Sequence, residues 1–377
     1  MTTAALESTG VPFLDLRPSH DPVVAAILED VAALIESNAY INGPAVAQFE
    51  REFADFCGSP YSVGLASGLD ALRLALLAAE LEPGDEVIVP AQTFVATLEA
   101  VTQAGGRPVI VDVRDDDYTL DVEAAEAAVG GRTRAVLPVH LYGQMADMRS
   151  LADLSERHGL FLLEDACQAH GATRDGLGSG TVGHAGAFSF YPGKNLGAMG
   201  DAGALVTADD ALATRVRALR EHGQTRKYEH EWEGYTARLD TIQAAVLLRK
   251  LPLLAGWNES RRSAAQLYSD ALADVGDLTL PAVAPRSEPV WHLYVVRTAD
   301  PSALADALAA RGIGTGRHYP QPVHLATAYA ALGYAAGDFA VAERLAHESL
   351  SLPIFPGITD AQVELVADAV RGFFAGG

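Results

Sequence analysis

The sequence predicts an α/β protein, with a large domain built on a mainly parallel sheet covered by helices and a smaller C-terminal α/β domain. Three observations point there. At 377 residues the chain exceeds what one hydrophobic core normally organises, so two domains are expected. Through the first two thirds, short β-rich apolar runs alternate with stretches of helical periodicity. Those runs are continuously apolar rather than alternating, as strands covered on both faces must be.

In order, strands are expected at 61–66 (YSVGLA), 86–90 (EVIVP), 108–113 (PVIVDV), 134–140 (RAVLPVH), 160–166 (LFLLEDA), 186–190 (GAFSF) and 203–207 (GALVT). Helices are expected between them, around 68–80, 93–104, 147–158 and 209–222. A helical stretch from about 238 to 275, broken near Leu251-Pro252, follows; proline lacks an amide and crowds the preceding turn. Beyond it come strand-like HLYVVRT (292–298), a helix at 301–311, strand-like GIGTGRHY (312–319), and helices around 339–350 and 360–374. The expected division is 1–250, an N-terminal segment with the large domain, and 251–377, the small one. Only about the first ten residues read as disorder-like.

Composition narrows the function. A formal charge of −22 disfavours nucleic acid and anionic membrane as partners. Cys57 and Cys167 make neither a disulfide framework nor a zinc signature, which fits a reducing cytoplasm and no metal. MTTAALESTGVPFLDL lacks the basic and apolar regions of a signal peptide, and no apolar run is long enough to span a bilayer. A cytoplasmic protein is expected.

In such a sheet, ligands bind beyond the carboxyl ends of the strands. Polar residues gather there: Ser67 after the first strand, Gln92 and Thr93 after the second, His140 after the fourth and Asp165 after the fifth. LASGLDALRLALL reads as strand, turn and helix. Ser67 is its N-cap, and the Gly68 and Leu69 amides offer a docking point for a phosphate. A plain capping box of Ser67 and Asp70 is the alternative, and the Asp70 charge opposes a nearby anion. Asp165, in LLEDACQAHGA, is a carboxylate in a nearly buried position that needs a cationic or strongly donating partner. It forms a structural salt bridge or cap, or it holds a protonated ring nitrogen, with Gln168 donating to a ring hydroxyl. His170 reads as structural.

SFYPGKNLGAMGDAG (189–203) places Lys194 in a glycine-rich turn that has no need of an ammonium group. Only three of the 27 basic residues are lysines: Lys194, Lys227 and Lys250. A lysine here points to what arginine cannot do, which is to lose its proton and act as an amine. It is not a P-loop lysine, because Phe188 stands where that motif needs glycine and Asn195 where it needs serine or threonine. No G-x-G-x-x-G follows the first strand either. An apolar setting at the ligand edge depresses an amine's pKa, as a Schiff-base lysine requires. Lys227, in QTRKYEHE, and Lys250, ending a helix before Pro252, read as ordinary solvated lysines. Together these pieces match the binding needs of pyridoxal phosphate. Phe94, in PAQTFVAT, is the candidate to stack on its ring, with core packing as the alternative, and Ser189 adds a hydroxyl for its phosphate.

The motifs ASGLDAL, VIVPAQTFVAT, PVHLYGQ, EDACQAHGA, FSFYPGKNLGAMGDAGA, ARLDTIQAAVL and RHYPQPVHL, taken together, resemble those of the DegT/DnrJ/StrS-type nucleotide-sugar aminotransferases. The resemblance runs from VPFLDL (11–16) to LSLPIFPGIT near the end and implies the aspartate-aminotransferase (type I) pyridoxal-phosphate fold. It implies that Lys194 forms the internal aldimine, Asp165 pairs with the pyridinium and Gln168 meets the ring hydroxyl. Gly68, Leu69 and Ser189 would bind the phosphate, with Phe94 on the ring. It also implies a homodimer with shared active sites, in which the segment GYTARLD crosses to the cofactor phosphate. Thr236 departs from the family's usual Asn there, offering one hydroxyl in place of an amide. Cys167 replaces a commoner alanine, with a packing consequence only.

Tyr191-Pro192-Gly193 before Lys194 and GDAGA after it resemble the branch that aminates 3-keto deoxysugar nucleotides; 4-keto enzymes tend to carry other residues before the lysine and Glu-Gly-Gly after it. The implied activity is ping-pong transamination from L-glutamate to a dTDP-3-keto-6-deoxyhexose, a step of deoxyaminosugar and antibiotic biosynthesis. Lys194 would serve as general acid and base while Asp165 keeps the ring nitrogen protonated. His318 and Tyr319 would reach sugar or donor, unless they only form a turn around Pro320 and Pro322. Arg226, Lys227 and Tyr228 would meet the nucleotide diphosphate, a solvated loop being the equal alternative. Competing activities are a 4-keto nucleotide-sugar or scyllo-inosose aminotransferase. A pyridoxal-phosphate-binding regulator is the non-enzymatic reading; it should have lost part of the set Lys194, Asp165 and Gln168.

Overall fold

The computed structural model describes residues 10–376. Seven strands form the central sheet: β1 (Tyr61–Leu65), β2 (Glu86–Pro90), β3 (Arg107–Val111), β4 (Thr133–Val136), β5 (Phe161–Asp165), β6 (Ala185–Ser189) and β7 (Gly203–Thr207). Their spatial order is β1-β7-β6-β5-β4-β2-β3. The pairs from β3 across to β6 are parallel, and β7 alone runs against its neighbours β6 and β1. Val87, Ile88 and Val89 of β2 are all fully buried, which is why that run carries no polar alternation.

Helices α1 (Val24–Ser37), α2 (Pro44–Cys57), α3 (Gly68–Ala78), α4 (Ala96–Gln103), α5 (Val122–Ala127), α6 (Met148–His158), α7 (Asp210–Leu219) and α8 (Thr241–Lys250) accompany the sheet. The first two lie in the stretch 11–60, where the sequence analysis predicts no element. Their punctuation is present, since Pro44 opens α2 and Gly58, at φ 70°, closes it. The break near Pro252 is a 3₁₀ turn, Leu251–Leu253, leading into α9 (Leu254–Leu272). Tyr268 of α9 then packs in a second buried cluster with β8 (Tyr294–Arg297), β9 (Ser349–Leu352), α10 (Pro301–Ala309) and α12 (Asp360–Ala375).

Two C-terminal expectations change. GIGTGRHY forms no strand, only single bridges from Ile313 to Val11 and from Gly316 to Ser351. Gly314 lets the backbone press against Phe13, whose amide nitrogen would stand 2.6 Å from a Cβ there, and Gly312 holds φ 73°. The helix expected at 339–350 stops as α11 (Ala340–Glu348), and SLSL becomes β9, antiparallel to β8. The expectation for the first ten residues lies, but for Gly10, outside the described residues. No helix among the described residues is long and apolar enough to cross a membrane.

Candidate active site

The loop carrying Lys194 is shaped first by its own backbone. After β6, the Phe190 amide donates to Ala202 O (2.7 Å), Phe190 O accepts from the Ala198 amide (2.8 Å), and the Lys194 amide turns back onto Tyr191 O (2.8 Å). Gly197 is required there, because a Cβ would stand 2.2 Å from Pro192 O. Lys194 Nζ makes no hydrogen bond or ion pair among the described residues. Burial draws its pKa below the ordinary lysine value, while Cys167 and Asp165 pull the other way. The result is an amine that can release its proton without stranding a partner.

Asp165 ends β5 only 6% exposed. Its Oδ1 accepts from the Cys167 amide (3.2 Å) and its Oδ2 from Thr97 Oγ1 (2.9 Å). The Thr97 proton is committed to the carboxylate, so Thr93 donates to Thr97 at 2.7 Å. Among the described residues no cation pairs with Asp165, so a buried carboxylate held by neutral donors has capacity left for a cationic ligand.

At the start of α3, Ser67 Oγ accepts from the Asp70 amide and donates to Asp70 Oδ2, both at 3.0 Å. The Asp70 carboxylate also pairs with Arg73 at 2.5 Å, which offsets the charge that opposes an anion at this end. The Gly68 and Leu69 amides have no intrahelical acceptor by position. A Cβ on Gly68 would meet Cys167 Sγ at 2.7 Å and Ser189 Cβ at 2.8 Å, so the helix start lies directly on the end of β6. Ser67, Gly68, Leu69 and Ser189 are thereby gathered at one place.

Gln168 is buried, with Oε1 accepting from the Tyr142 amide and Nε2 donating to Tyr319 Oη, both at 2.8 Å. The Tyr319 ring lies nearly parallel to Tyr142 (centroids 6.3 Å apart, 5°) and faces Phe94 at 6.0 Å. Tyr142 and Tyr319 both hold positive φ, 57° and 59°, uncommon for aromatic residues. Phe94 is 54% exposed, which excludes its core-packing alternative.

Neutral imidazoles surround the lysine. Burial, then Lys194, pulls His318 down to about 4; its Nδ1 lies 2.7 Å from Ser351 Oγ. His292 falls well below its ordinary value for the same reasons, with Nδ1 3.3 Å from Asn195 Oδ1. His170 is pulled to about 3 by burial; its Nε2 donates to Ser189 O (2.9 Å), and its ring packs on Phe188 and Phe190.

Other predicted residues stand apart. Thr236 Oγ1 lies 3.3 Å from His222 Nε2. Arg226, Lys227 and Tyr228 occupy a short exposed hairpin, Gln224–Arg226 with Glu229–His230, where Tyr228 is 81% exposed. Among the described residues, no hydrogen bond, ion pair or ring contact links these four to Lys194, Asp165 or Gln168. Tyr191 is exposed beside the lysine turn. His140 serves the core, with Nε2 2.8 Å from Glu164 Oε2 and Nδ1 accepting from the Ala146 amide. Lys250 is a correction: it is 1% exposed, not solvated, because α8 ends against the Lys194 loop. The site also uses Thr97, Tyr142 and His292, which the sequence analysis does not name. Thr97 follows Thr93 at the i+4 spacing that lets their hydroxyls meet, while Tyr142 and His292 take roles set by partners distant in the chain. No group of residues among those described is arranged to hold a metal ion.

Comparison with known proteins extends this geometry. Residues 23–371 match the family described as DegT/DnrJ/EryC1/StrS aminotransferases. The chain is 47% identical to the dTDP-3-amino-3,4,6-trideoxy-alpha-D-glucose transaminase of Streptomyces venezuelae over 365 residues, 97% of this chain and 96% of that protein. It superposes on the crystal structure of S. venezuelae DesV in complex with a ketimine intermediate with a TM-score of 0.94 at 48% identity, covering 96% of this chain and 98% of that one. It also superposes on NtdA from Bacillus subtilis with bound cofactor PMP, with a TM-score of 0.91 at 30% identity, over 99% of this chain and 87% of that one.

Proposed function

Because the chain belongs to the DegT/DnrJ/EryC1/StrS aminotransferase family, we propose that it moves an amino group from L-glutamate to a dTDP-linked 3-keto-6-deoxyhexose. It is a sugar aminotransferase, and its cofactor is pyridoxal 5′-phosphate. The observation that carries this reading is the half-buried, unpartnered amine of Lys194, its pKa lowered by desolvation, beside the buried carboxylate of Asp165, with which no cation pairs among the described residues. When bound, pyridoxal phosphate supplies an aldehyde that condenses with amines and a ring that accepts an electron pair.

The residues fit that group. The Gly68 and Leu69 amides, Ser67 and Ser189 would form the phosphate cradle, brought together because Gly68, lacking a Cβ, lets the helix start pack directly on Cys167 and Ser189. Asp165 would hold the protonated ring nitrogen, Gln168 the ring hydroxyl, and Phe94 one ring face. Lys194 Nζ, its pKa lowered by burial, would take up and return the proton at the reacting carbon. Tyr191, His318 and Tyr319 are proposed to line the sugar site, and Tyr319 is tied to Gln168. We place Arg226, Lys227, Tyr228 and Thr236 at the active site of a second copy in a homodimer; their exposure supports this. The absence of a membrane-spanning helix among the described residues is in keeping with a cytoplasmic enzyme. Amination at C3 is supported by the S. venezuelae relative, whose name carries the amine there.

Purified protein should be yellow, and borohydride should fix the cofactor to Lys194; a colourless protein without it would sink the assignment. Protein loaded with pyridoxamine phosphate, offered 3-keto and 4-keto dTDP-sugars, should aminate the former, read by product NMR. Amination at C4 alone would refute the position.

A further inference from the structure

The third lysine of this chain is buried without any role in the chemistry proposed above. Lys250 ends α8, and its Nζ donates to Gly197 O at 2.6 Å. Its second partner is His20 Nε2 at 2.9 Å. His20 Nδ1 donates to Leu16 O at 2.8 Å, which fixes the tautomer and leaves Nε2 as an acceptor. Among the described residues no carboxylate pairs with Lys250, so its ammonium meets only a carbonyl and a neutral imidazole. Burial lowers its pKa to about 8.

The same helix holds the loop at a second point. Gln243 Oε1 accepts from the Met199 amide (2.8 Å), and its Nε2 donates to Met199 O (3.2 Å). Residues 243 and 250 are seven apart, two helical turns, and so lie on one face of α8. Between the Lys194 turn and Met199, the chain passes Gly197 so close to the Pro192 backbone that only a residue without a Cβ fits. Gly197 O is the group that Lys250 takes.

We propose that Lys250, seconded by Gln243, is a positioning residue: it pins the Gly197 carbonyl to α8 and thereby fixes the loop that presents Lys194 Nζ to the cofactor. A buried cation facing neutral acceptors is a poor way to stabilise a fold, and apolar replacement of such groups is often neutral or stabilising. Its value lies in aim. This inference rests on the reading of Lys194 as the cofactor-bearing residue, and the test separates the two.

The test is K250M, which keeps the stem and removes the donors, measured as apo and cofactor-loaded protein beside the wild type. Amide hydrogen exchange in the apo protein should be at least tenfold faster at Ala198 and Met199, with β2 amides unchanged. Apo K250M should unfold no earlier than wild type at neutral pH. Pyridoxal phosphate affinity should fall roughly ten- to a hundredfold, the range for losing a hydrogen bond to a charged group. H20L, which removes only the second acceptor, should shift exchange and affinity the same way by less, and it serves if K250M does not fold. Exchange at Ala198 and Met199 within twofold of wild type in whichever variant folds would overturn the proposal. So would a loss of affinity no larger than a parallel loss of apo stability. Failure of wild-type protein to bind pyridoxal phosphate would instead overturn the assignment of Lys194.

Discussion

Gly68→Ala tests the phosphate cradle with one methyl group. The new Cβ would stand 2.7 Å from Cys167 Sγ and 2.8 Å from Ser189 Cβ, with the Ser189 Cα at 3.3 Å. Neither neighbour is the end of a long side chain: Ser189 closes β6, and moving it disturbs the Tyr191 amide that donates to its Oγ at 3.3 Å. Overpacking of this kind costs about 1–3 kcal/mol. Alanine recovers less than 1 kcal/mol of helix propensity, so the balance is unfavourable. The strain falls on the amides that face the phosphate, so cofactor affinity should drop by about five- to a hundredfold at an effective cost of 1–3 kcal/mol. The assay is titration of apo-enzyme with pyridoxal phosphate, followed by absorbance and tryptophan fluorescence. Cys167→Ala removes the Sγ contact but leaves Ser189, so the double variant should recover part of the loss, with a coupling of about 0.5–3 kcal/mol. A Gly68→Ala enzyme that binds cofactor like wild type, or a double variant no better than the single one, would show that the helix start does not hold the phosphate.

Three further outcomes follow from contacts described above. Thr97→Val removes the donor to Asp165 Oδ2 and should lower kcat by roughly tenfold or more, the scale of a hydrogen bond to a charged acceptor, in steady-state assays. Tyr319→Phe leaves Gln168 Nε2 without its acceptor while Oε1 keeps the Tyr142 amide; a loss of about 1 kcal/mol should appear in the substrate dependence of the rate more than in apo melting temperature. Lys250 sets a pH trend. Its pKa is about 8 in the fold against an ordinary 10.5, so between those values the unfolded chain binds more protons and stability rises with pH. The full contribution is about 3 kcal/mol, and wild-type melting temperatures measured from pH 7 to 10 should gain relative to K250M across that window. Parallel curves would refute it.

What the sequence discloses is what neighbours in the chain decide. The apolar runs of β2, β5 and β6 are read within a residue or two because burial on both faces is a local composition. Ser67 is legible as a cap because its acceptor role is played three residues away. The site is assembled by longer reaches: Thr97 to Asp165 spans 68 positions, Gln168 to Tyr319 spans 151, and Lys250 to His20 spans 230. No periodicity encodes those pairings. Thr97 and Asp165 meet because a parallel sheet brings the ends of distant strands to one edge, whereas Tyr319 and His20 reach the site from a C-terminal loop and an N-terminal helix.

Lys250 carries a signal that its neighbours in the chain cannot resolve. The scarcity of lysine that singles out Lys194 applies equally to Lys250, yet a lysine at a helix end before proline looks the same whether water or a carbonyl receives it. The structure supplies the physical reason for lysine over arginine there. One carbonyl oxygen and one imidazole nitrogen, 2.6 and 2.9 Å from a single Nζ, are matched by a compact ammonium with rotatable donors. A planar guanidinium would bring five donors to a buried place that offers two acceptors, leaving three unpaired. Lys194 needs lysine for the proton that it can lose, and Lys250 needs it for the shape of its donor set. Among 27 basic residues, two of the three lysines therefore meet at one loop, for different reasons.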